Sequence, residues 1–200
     1  MSSSFVPSVP SVPSVPSVPS VPSVPSVPSV PSYSIRKLDK THQRTDFFCG
    51  IKALDDYLHH LAGQDYRRNL SVTYILNDDN LNKIIGYYTL SSTSIELIGL
   101  PDEVLTTLPQ YPLLPATLIG RLAVSQNYQK QGFGEILFFD ALKKSYETSL
   151  DIASFAVVVD AINENAVSFY KKYGFLSLLQ NQEKLYLPMK TMGKLLTSQL

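Results

Sequence analysis

The stretch Gln129-Lys130-Gln131-Gly132-Phe133-Gly134 decides how this chain can fold and what it can hold. It follows an apolar, strand-like segment (117–124) and precedes a helix-like segment (135–144). Glycines at such a junction let the backbone approach a ligand closely, and the free N–H groups and dipole of the helix N-terminus favour a negative charge. The pattern therefore predicts a phosphate-binding strand, turn and helix.

Two better-known glycine-rich loops do not fit this stretch. A phosphate-cradling P-loop needs Lys-Ser or Lys-Thr directly after its last glycine, and Gly134 is followed by Glu135. A dinucleotide-binding fingerprint needs a third glycine at position 137, which is Leu137 here. A simple strand-to-helix turn without a ligand remains the alternative interpretation.

A second strand and helix follow. The segment from Ile152 to Asp160 is β-branched and almost continuously apolar, which predicts a buried strand. The next segment has Asn163 or Asn165 as an N-cap and Gly174 as a C-cap after two lysines, which predicts a helix. This second strand and helix repeat the order of the first strand, turn and helix.

These segments resemble the GCN5-related N-acetyltransferase (GNAT) superfamily over essentially all of the chain from Tyr33 onward. The order of the segments is similar to the toxin branch of type II toxin–antitoxin systems, whose acetyltransferases modify aminoacyl-tRNA. The motifs that carry the resemblance are the Q-x-x-G-x-G loop, 157–161 (Val-Val-Val-Asp-Ala), Phe169-Tyr170 with Gly174-Phe175, 46–50 (Asp-Phe-Phe-Cys-Gly), 85–91 and 185–189.

The resemblance implies an α+β GNAT fold, in which a mixed, mostly antiparallel sheet is flanked by helices and splayed central strands form an acetyl-CoA cleft. Residues 33–200 are expected to form this acetyltransferase domain, and residues 1–32 a separate tail. Within the domain, the patterns predict a helix at 51–65, a hairpin turn at 77–80 between strands 72–76 and 83–94, and a proline-rich loop (Pro109, Pro112 and Pro115) before a strand at Thr117.

The resemblance also implies the chemistry. Acetyl passes directly from acetyl-CoA to an amine, and Tyr170 is the expected general acid for the departing thiolate. Core packing beside Phe169 and Tyr173 is the alternative for Tyr170. No metal is expected. The residues expected to bind acetyl-CoA are Leu122, Ala123, Val124, Gln129, Lys130, Gln131, Gly132, Phe133, Gly134, Asn163 and Phe169.

The sequence gives weaker signals for the residues that bind the acceptor of the acetyl group. A basic pair alone is usually a solvated surface, and the domain lacks an arginine in Ser71-Val72-Thr73, where many relatives carry Ser-Arg-Thr. No good general base is visible, because Asp160 is equally well a turn residue. The residues expected to contact the tRNA are Arg121, Lys171, Lys172, Arg67 and Arg68.

Composition limits the function further. Seventeen basic and seventeen acidic residues give a net charge of zero, so nucleic acid binding by bulk charge is disfavoured and a local basic patch is required. The single cysteine, Cys49, predicts a reducing compartment, and we expect a cytoplasmic protein without a membrane span or signal peptide. His59 and His60 are adjacent, so they cannot share one helical metal-binding face.

Three functions stay open at this point. The first is a tRNA-acetylating toxin, with a ribbon-helix-helix antitoxin and a homodimeric state implied by the resemblance. The second is a GNAT enzyme that acetylates a small amine or a protein N-terminus. The third is a catalytically dead binding module, which the intact loop and Tyr170 disfavour.

The tail has its own pattern. Residues 6–32 are nine consecutive Val-Pro-Ser triplets. Proline at every third position is incompatible with helix and with a central strand. The pattern is typical of a disordered tail with polyproline II character, which fully extended would span roughly 84 Å. We expect no catalytic role for it.

Overall fold

Seven strands form one mixed sheet in the order β1-β2-β3-β4-β5-β7-β6. This computed structural model describes residues 32–197, apart from 107 and 110, so the predicted tail lies almost entirely outside the described residues. Strands β4 and β5 pair in parallel, whereas every other neighbouring pair is antiparallel. The strands are β1 (Tyr33–Lys37), β2 (Val72–Asp78), β3 (Lys83–Glu96), β4 (Leu113–Val124), β5 (Ala156–Asp160), β6 (Leu176–Leu178) and β7 (Asn181–Pro188).

The helices connect these strands. The longest, α4, runs along the sheet after β4, and α5 follows β5. Short 3₁₀ turns at Leu97–Gly99 and Gln126–Tyr128 and a π-helical segment at Tyr57–Leu61 complete the chain. The helices are α1 (Lys52–Asp56), α2 (Ala62–Arg67), α3 (Asp102–Leu105), α4 (Phe133–Asp151), α5 (Glu164–Lys172) and α6 (Met189–Thr197). The expected α+β architecture is confirmed.

The two faces of the sheet have separate cores. On one face, Leu137, Phe138 and Leu142 of α4 pack with side chains of β3, β5 and β7. On the other face, Tyr57 and Leu58 of the π-helical segment pack with residues of β2, β3 and β4. Because side chains alternate along a strand, β4 contributes to both cores and lies at the centre of the fold.

Gly86 of β3 fixes how closely α4 approaches the sheet. A Cβ atom at this position would lie 2.6 Å from Leu137 Cδ1 and 2.8 Å from the Ala123 carbonyl oxygen. Both distances are shorter than real Cβ contacts, and the second atom is backbone that cannot rotate away. The absence of a side chain at Gly86 therefore sets the position of the whole helix.

We expect Gly86→Ala to destabilise the protein by about 1–3 kcal/mol, because the added methyl group overpacks the contact between α4 and the sheet. Thermal unfolding should show this as a fall of about 3–10 °C in Tm. The matched control is Gly99→Ala, where a Cβ would meet only Leu178, at 3.8 Å. Equal melting temperatures for the two variants would contradict the close approach of α4.

Two predicted boundaries near the centre of the sheet are wrong. The strand predicted from Ile152 begins at Ala156, because α4 continues to Asp151 and Ile152 is 73% exposed. The predicted proline loop ends earlier than expected, because β4 begins at Leu113 and includes Pro115. Pro115 is tolerated there because β4 pairs with β5 only from Ala116 onward, so its missing N–H group removes no bond to β5.

The predicted helix and hairpin turn before β3 also need correction. The helix predicted at 51–65 consists of α1, the π-helical segment and α2, so it is not one regular α-helix, and it continues to Arg67. Asn77 and Asp78, predicted to lie in the turn, belong to β2. The turn lies at 79–82, where the Asp78 carboxylate accepts the backbone N–H groups of Asn80 and Leu81 at 2.9 and 3.1 Å.

Candidate active site

The sheet opens in its middle, between β4 and β5. These strands pair over Ala116–Ile119 of β4 and then separate. The separation begins at a bulge, since Thr89 of β3 pairs with Arg121 and Leu90 pairs with Ile119, which leaves Gly120 as the extra residue. A bulge bends its strand and increases the local twist. From Gly120 onward, β4 has no strand partner on its β5 side among the described residues, so the predicted splaying is confirmed.

The loop after β4 presents a row of free amides. Lys130 has φ +60° and Gly132 has φ +85°, so the chain turns sharply before α4. In the part of the chain that the structure describes, the backbone N–H groups of residues 130–134 make no well-formed hydrogen bond. The first hydrogen bonds of α4 are donated by the N–H groups of Glu135 and Ile136 to the Gly132 carbonyl oxygen, at 3.0 and 3.2 Å. Such an array at the N-terminus of a 19-residue helix can hold a phosphate.

Gln129 ties this loop to the neighbouring segment. Its Nε2 donates to the carbonyl oxygens of Cys49 and Val124, both at 3.0 Å. The Gln126 N–H donates to the Phe48 carbonyl at 2.8 Å, which ties the loop to the same neighbouring segment. The side-chain amide of Gln129 is thus hydrogen-bonded to the protein, although the residue is exposed.

Cys49 has the properties of a small core residue. Its side chain is buried and packs with Phe47 and Tyr87. Burial raises the pKa of the Cys49 thiol to about 11. Because the thiolate is the nucleophilic form, this cysteine is unsuited to covalent catalysis.

Helix α5 closes the other side of the opening. Asn163 Oδ1 accepts the Ala166 N–H at 2.9 Å, so the predicted N-cap is confirmed at Asn163. At the other end, Gly174 has φ +84° and its N–H donates to the Lys171 carbonyl at 3.0 Å, as predicted for a C-cap. These two caps place Phe169 and Tyr170 in the last turns of α5, facing β4.

A cavity of about 240 Å³ lies where β4 and β5 separate. It brings together five of the residues predicted from the sequence, namely Arg121, Leu122, Gly134, Phe169 and Tyr170. It also contains residues that the sequence did not single out as ligands. These are Leu54, Ile119, Gly120, Asp160, Ile162 and Ala166.

Tyr170 combines a packed ring with an available hydroxyl. The ring lies 5.3, 5.5 and 5.8 Å from those of Phe169, Phe175 and Phe138. No hydrogen bond joins its hydroxyl to the described residues, and the residue lines the cavity. Burial raises the pKa of Tyr170 to about 12, because the charged phenolate is poorly solvated there. The hydroxyl therefore stays protonated near neutral pH and can donate a proton into the cavity.

Arg121 supplies a positive charge to the cavity wall. Its guanidinium carbon lies 3.7 Å from the centre of the Tyr57 ring, and the Tyr57 hydroxyl is 2.8 Å from Ser71 Oγ. Among the described residues, no carboxylate lies within 4.0 Å of this guanidinium. Stacking on the ring fixes the orientation of the planar guanidinium, so Arg121 can donate to an acceptor bound in the cavity.

The remaining predicted residues do not line the cavity. Ala123 and Phe133 are buried in the two cores, and Val124 is half-buried beside them. Lys172 is paired with Glu135 at 3.2 Å across the gap between α5 and α4. The other predicted side chains are exposed, and these belong to Gln129, Lys130, Gln131, Asn163, Lys171, Arg67 and Arg68, while Gly132 is also exposed.

Residues 32–197, without 107 and 110, contain no group of three or more His, Cys, Asp and Glu side chains arranged to hold a metal ion. In the same part of the chain, no helix has both the length and the apolar composition needed to cross a membrane.

Comparisons with protein families and curated proteins agree on one class of protein. Residues 114–196 match the family model described as Acetyltransferase (GNAT) domain. The chain is 27% identical over 162 residues to the probable toxin TacT of Sinorhizobium fredii, covering 78% of this chain and 90% of that protein. It is 29% identical over 140 residues to the tRNA-acetylating toxin of Mycobacterium tuberculosis, covering 70% and 82%.

Solved structures of the toxin AtaT are similar over most of the fold. AtaT complexed with acetyl-methionyl-tRNAfMet superposes with a TM-score of 0.77 at 30% identity, covering 82% of this chain and 99% of AtaT. AtaTR bound with acetyl-CoA gives a TM-score of 0.72 at 30% identity, covering 82% and 98%. An AtaT mutant bound to the C-terminus of the antitoxin AtaR gives 0.71 at 28% identity, covering 82% and 98%.

Proposed function

The chain belongs to the GNAT acetyltransferase superfamily, and from this premise we propose that it transfers acetyl from acetyl-CoA to the α-amine of an aminoacyl-tRNA, as the translation-blocking toxin of a toxin–antitoxin pair. The observation that carries the proposal is the junction of β4 and α4. There, free amides suited to a pyrophosphate adjoin a cavity that contains a protonated tyrosine. Relatives that act on tRNA support the choice of acceptor.

The residues of the chain fit acetyl-CoA in two places. The amides of 130–134 suit the pyrophosphate, with the exposed Lys130 side chain beside them. The unpaired edge of β4 after Gly120 suits the amide groups of the pantetheine arm, which can extend the sheet as a strand would. Acetyl-CoA bound this way supplies an activated thioester, and a backbone N–H near Val124 would polarise its carbonyl oxygen.

The reaction needs one nucleophile and one proton donor. The neutral amine of the acceptor forms a bond to the thioester carbonyl carbon, and the carbon–sulfur bond breaks. Tyr170 donates its hydroxyl proton to the departing sulfur, which prevents a free thiolate from accumulating. The α-amine of an aminoacyl ester has a pKa of about 8 or lower. A sufficient fraction is therefore neutral near pH 7, and water can carry the remaining amine proton to the Tyr170 phenolate, which restores its hydroxyl.

The test is transfer of radiolabelled acetyl from acetyl-CoA to a pool of charged tRNA. We expect label on charged tRNA and none on deacylated tRNA, because only the charged form carries the amine. If the protein binds acetyl-CoA but labels no tRNA, the tRNA assignment is wrong. A GNAT enzyme acting on a small amine or a protein N-terminus would then be favoured, in agreement with the zero net charge of the chain.

The partners of the toxin are part of the same proposal. By analogy with AtaT, which binds its antitoxin AtaR, this chain would be held inactive by a small antitoxin of the ribbon-helix-helix class. A cytoplasmic homodimer fits this function. Exposed apolar side chains beside β4, among them Ile98, Tyr111 and Leu113 at 68, 63 and 53% exposure, offer a surface for self-association.

The tail is proposed to be dispensable for catalysis. The residues that line the cavity all lie between Leu54 and Tyr170. The loop at 129–134, which we propose binds the pyrophosphate, lies in the same range. We therefore expect a chain lacking residues 1–32 to keep kcat and KM for acetyl-CoA within about twofold of the full chain. Loss of turnover in a truncated protein that retains the Tm of the full chain would contradict this separation of tail and domain.

A further inference from the structure

Two arginines from different segments meet over one helical glycine. Gly63 lies in α2, and a Cβ atom on it would be 3.3 Å from Arg44 Nη1 and 3.6 Å from Arg67 Nη1. The two guanidinium nitrogens are therefore less than about 7 Å apart. Arg44 belongs to the segment between β1 and α1, whereas Arg67 is in the last turn of α2. Their convergence is a product of the tertiary fold.

This pair of like charges lacks a neutralising partner. No carboxylate of the described residues lies within 4.0 Å of either guanidinium, and the one hydrogen bond between these side chains and the backbone runs from Arg44 Nη2 to the Asp39 carbonyl at 3.3 Å. The helix dipole favours a cation at the position of Arg67, but it does not account for Arg44. Two guanidinium groups this close repel each other, and an anion bound between them would offset the repulsion.

We propose that Arg44 and Arg67 together bind one phosphate of the tRNA backbone. This inference rests on the proposed function. A phosphodiester has two unesterified oxygens, and each can accept charge-assisted hydrogen bonds from one guanidinium. The site would position the tRNA without reading its sequence, as phosphate contacts do.

The location suits an acceptor bound in the cavity. Leu54, which lines the cavity, and Gly63 belong to one continuous helical segment from Lys52 to Arg67. They are nine positions apart, or roughly 13 Å along the helix axis. A tRNA is much longer than this, so its aminoacylated end can occupy the cavity while a phosphate of its backbone reaches the arginine pair. A local basic pair of this kind can bind tRNA although the chain has no net positive charge.

Binding of a deacylated tRNA pool, measured at about 50 to 200 mM salt, tests the pair. The variants are Arg44→Gln, Arg67→Gln and the double variant. Lys143→Gln is the matched control, because it removes one positive charge from an exposed position on α4. We expect each arginine variant to weaken binding about tenfold and to reduce the salt slope by about 0.7–0.9. The double variant should add little, because both side chains hold the same phosphate.

The outcomes separate this inference from the proposed function. Arginine variants that bind tRNA as Lys143→Gln does, or whose effects add fully in the double variant, would overturn the shared phosphate site. If the wild-type protein labels charged tRNA at the same time, the proposed function survives and the inference alone fails. If the wild type labels no charged tRNA, the proposed function fails whatever the arginine variants do. Unchanged acetyl-CoA affinity in all variants, measured by calorimetry, would confirm that the cofactor side is intact.

Discussion

Replacing Tyr170 by phenylalanine is expected to lower kcat by two to four orders of magnitude, the usual contribution of a positioned general acid. The affinity for acetyl-CoA should stay within about threefold of the wild-type value. The substitution keeps the aromatic ring among Phe138, Phe169 and Phe175, so only the hydroxyl is lost. Thiol release on mixing with charged tRNA gives kcat, and calorimetry gives the dissociation constant of acetyl-CoA.

Tyr173→Phe is the matched control for this prediction. Tyr173 also contacts the Phe138 ring, at 5.0 Å, but its hydroxyl donates to Glu135, and it is not among the residues that line the cavity. Removing that hydroxyl should leave kcat nearly unchanged. Near-normal turnover in Tyr170→Phe would exclude Tyr170 as the acid. An equal loss in both variants would point to disturbed packing of α5.

The protonation state of Tyr170 determines the direction in which activity changes with pH. Burial raises the pKa of Tyr170 to about 12, and the hydroxyl is a proton donor only below that pKa. Activity should therefore not decline between about pH 7 and 10 through loss of this proton. A rise in rate toward about pH 8 is expected from the acceptor amine instead, since only its neutral form attacks.

The local parts of the site could be predicted from the sequence. The turn at 129–134, the Asn163 N-cap and the Gly174 C-cap each depend on a few neighbouring residues, whose backbone preferences are strong. The assignment of Tyr170 to the site depended on the family resemblance, because spacing alone left core packing equally possible. Its position in the cavity agrees with that assignment.

Other parts of the site depend on tertiary contacts that no local pattern carries. Leu54 comes to the cavity from α1, 116 positions before Tyr170 in the chain. Arg44 gave no signal as an isolated arginine, and its convergence with Arg67 appears only once α2 is placed. The apolar run from Ile152 predicted a longer β5 because periodicity cannot distinguish a buried strand from the end of a helix. The alternation of side chains along β4 is interrupted by the bulge at Gly120. This interruption determines which side chains of β4 reach the cavity.

Gly132 provides the strongest test of the proposal that the loop at 129–134 binds the pyrophosphate. Its φ of +85° is a conformation that, after glycine, asparagine and aspartate tolerate best. No atom lies within 4 Å of the position that a Cβ would take, so both residues can be accommodated. Gly132→Asn and Gly132→Asp are nearly equal in size and backbone preference and differ in charge. The comparison therefore isolates the electrostatics of the loop.

Gly132→Asp is expected to weaken acetyl-CoA binding about 100-fold relative to Gly132→Asn, because its carboxylate would lie close to the pyrophosphate. Two like charges about 5–6 Å apart at a protein surface repel by about 3 kcal/mol, and 2.7 kcal/mol already corresponds to 100-fold. Gly132→Asn should lose only a few-fold, since the loop amides of 130–134 remain. The measurement is the dissociation constant of acetyl-CoA, with Tm to show that both variants fold. The penalty should also shrink at high salt, because both charges are near solvent. If the two variants bind within threefold of each other, the amides before α4 do not hold the pyrophosphate, and the cofactor must enter the cavity from another side.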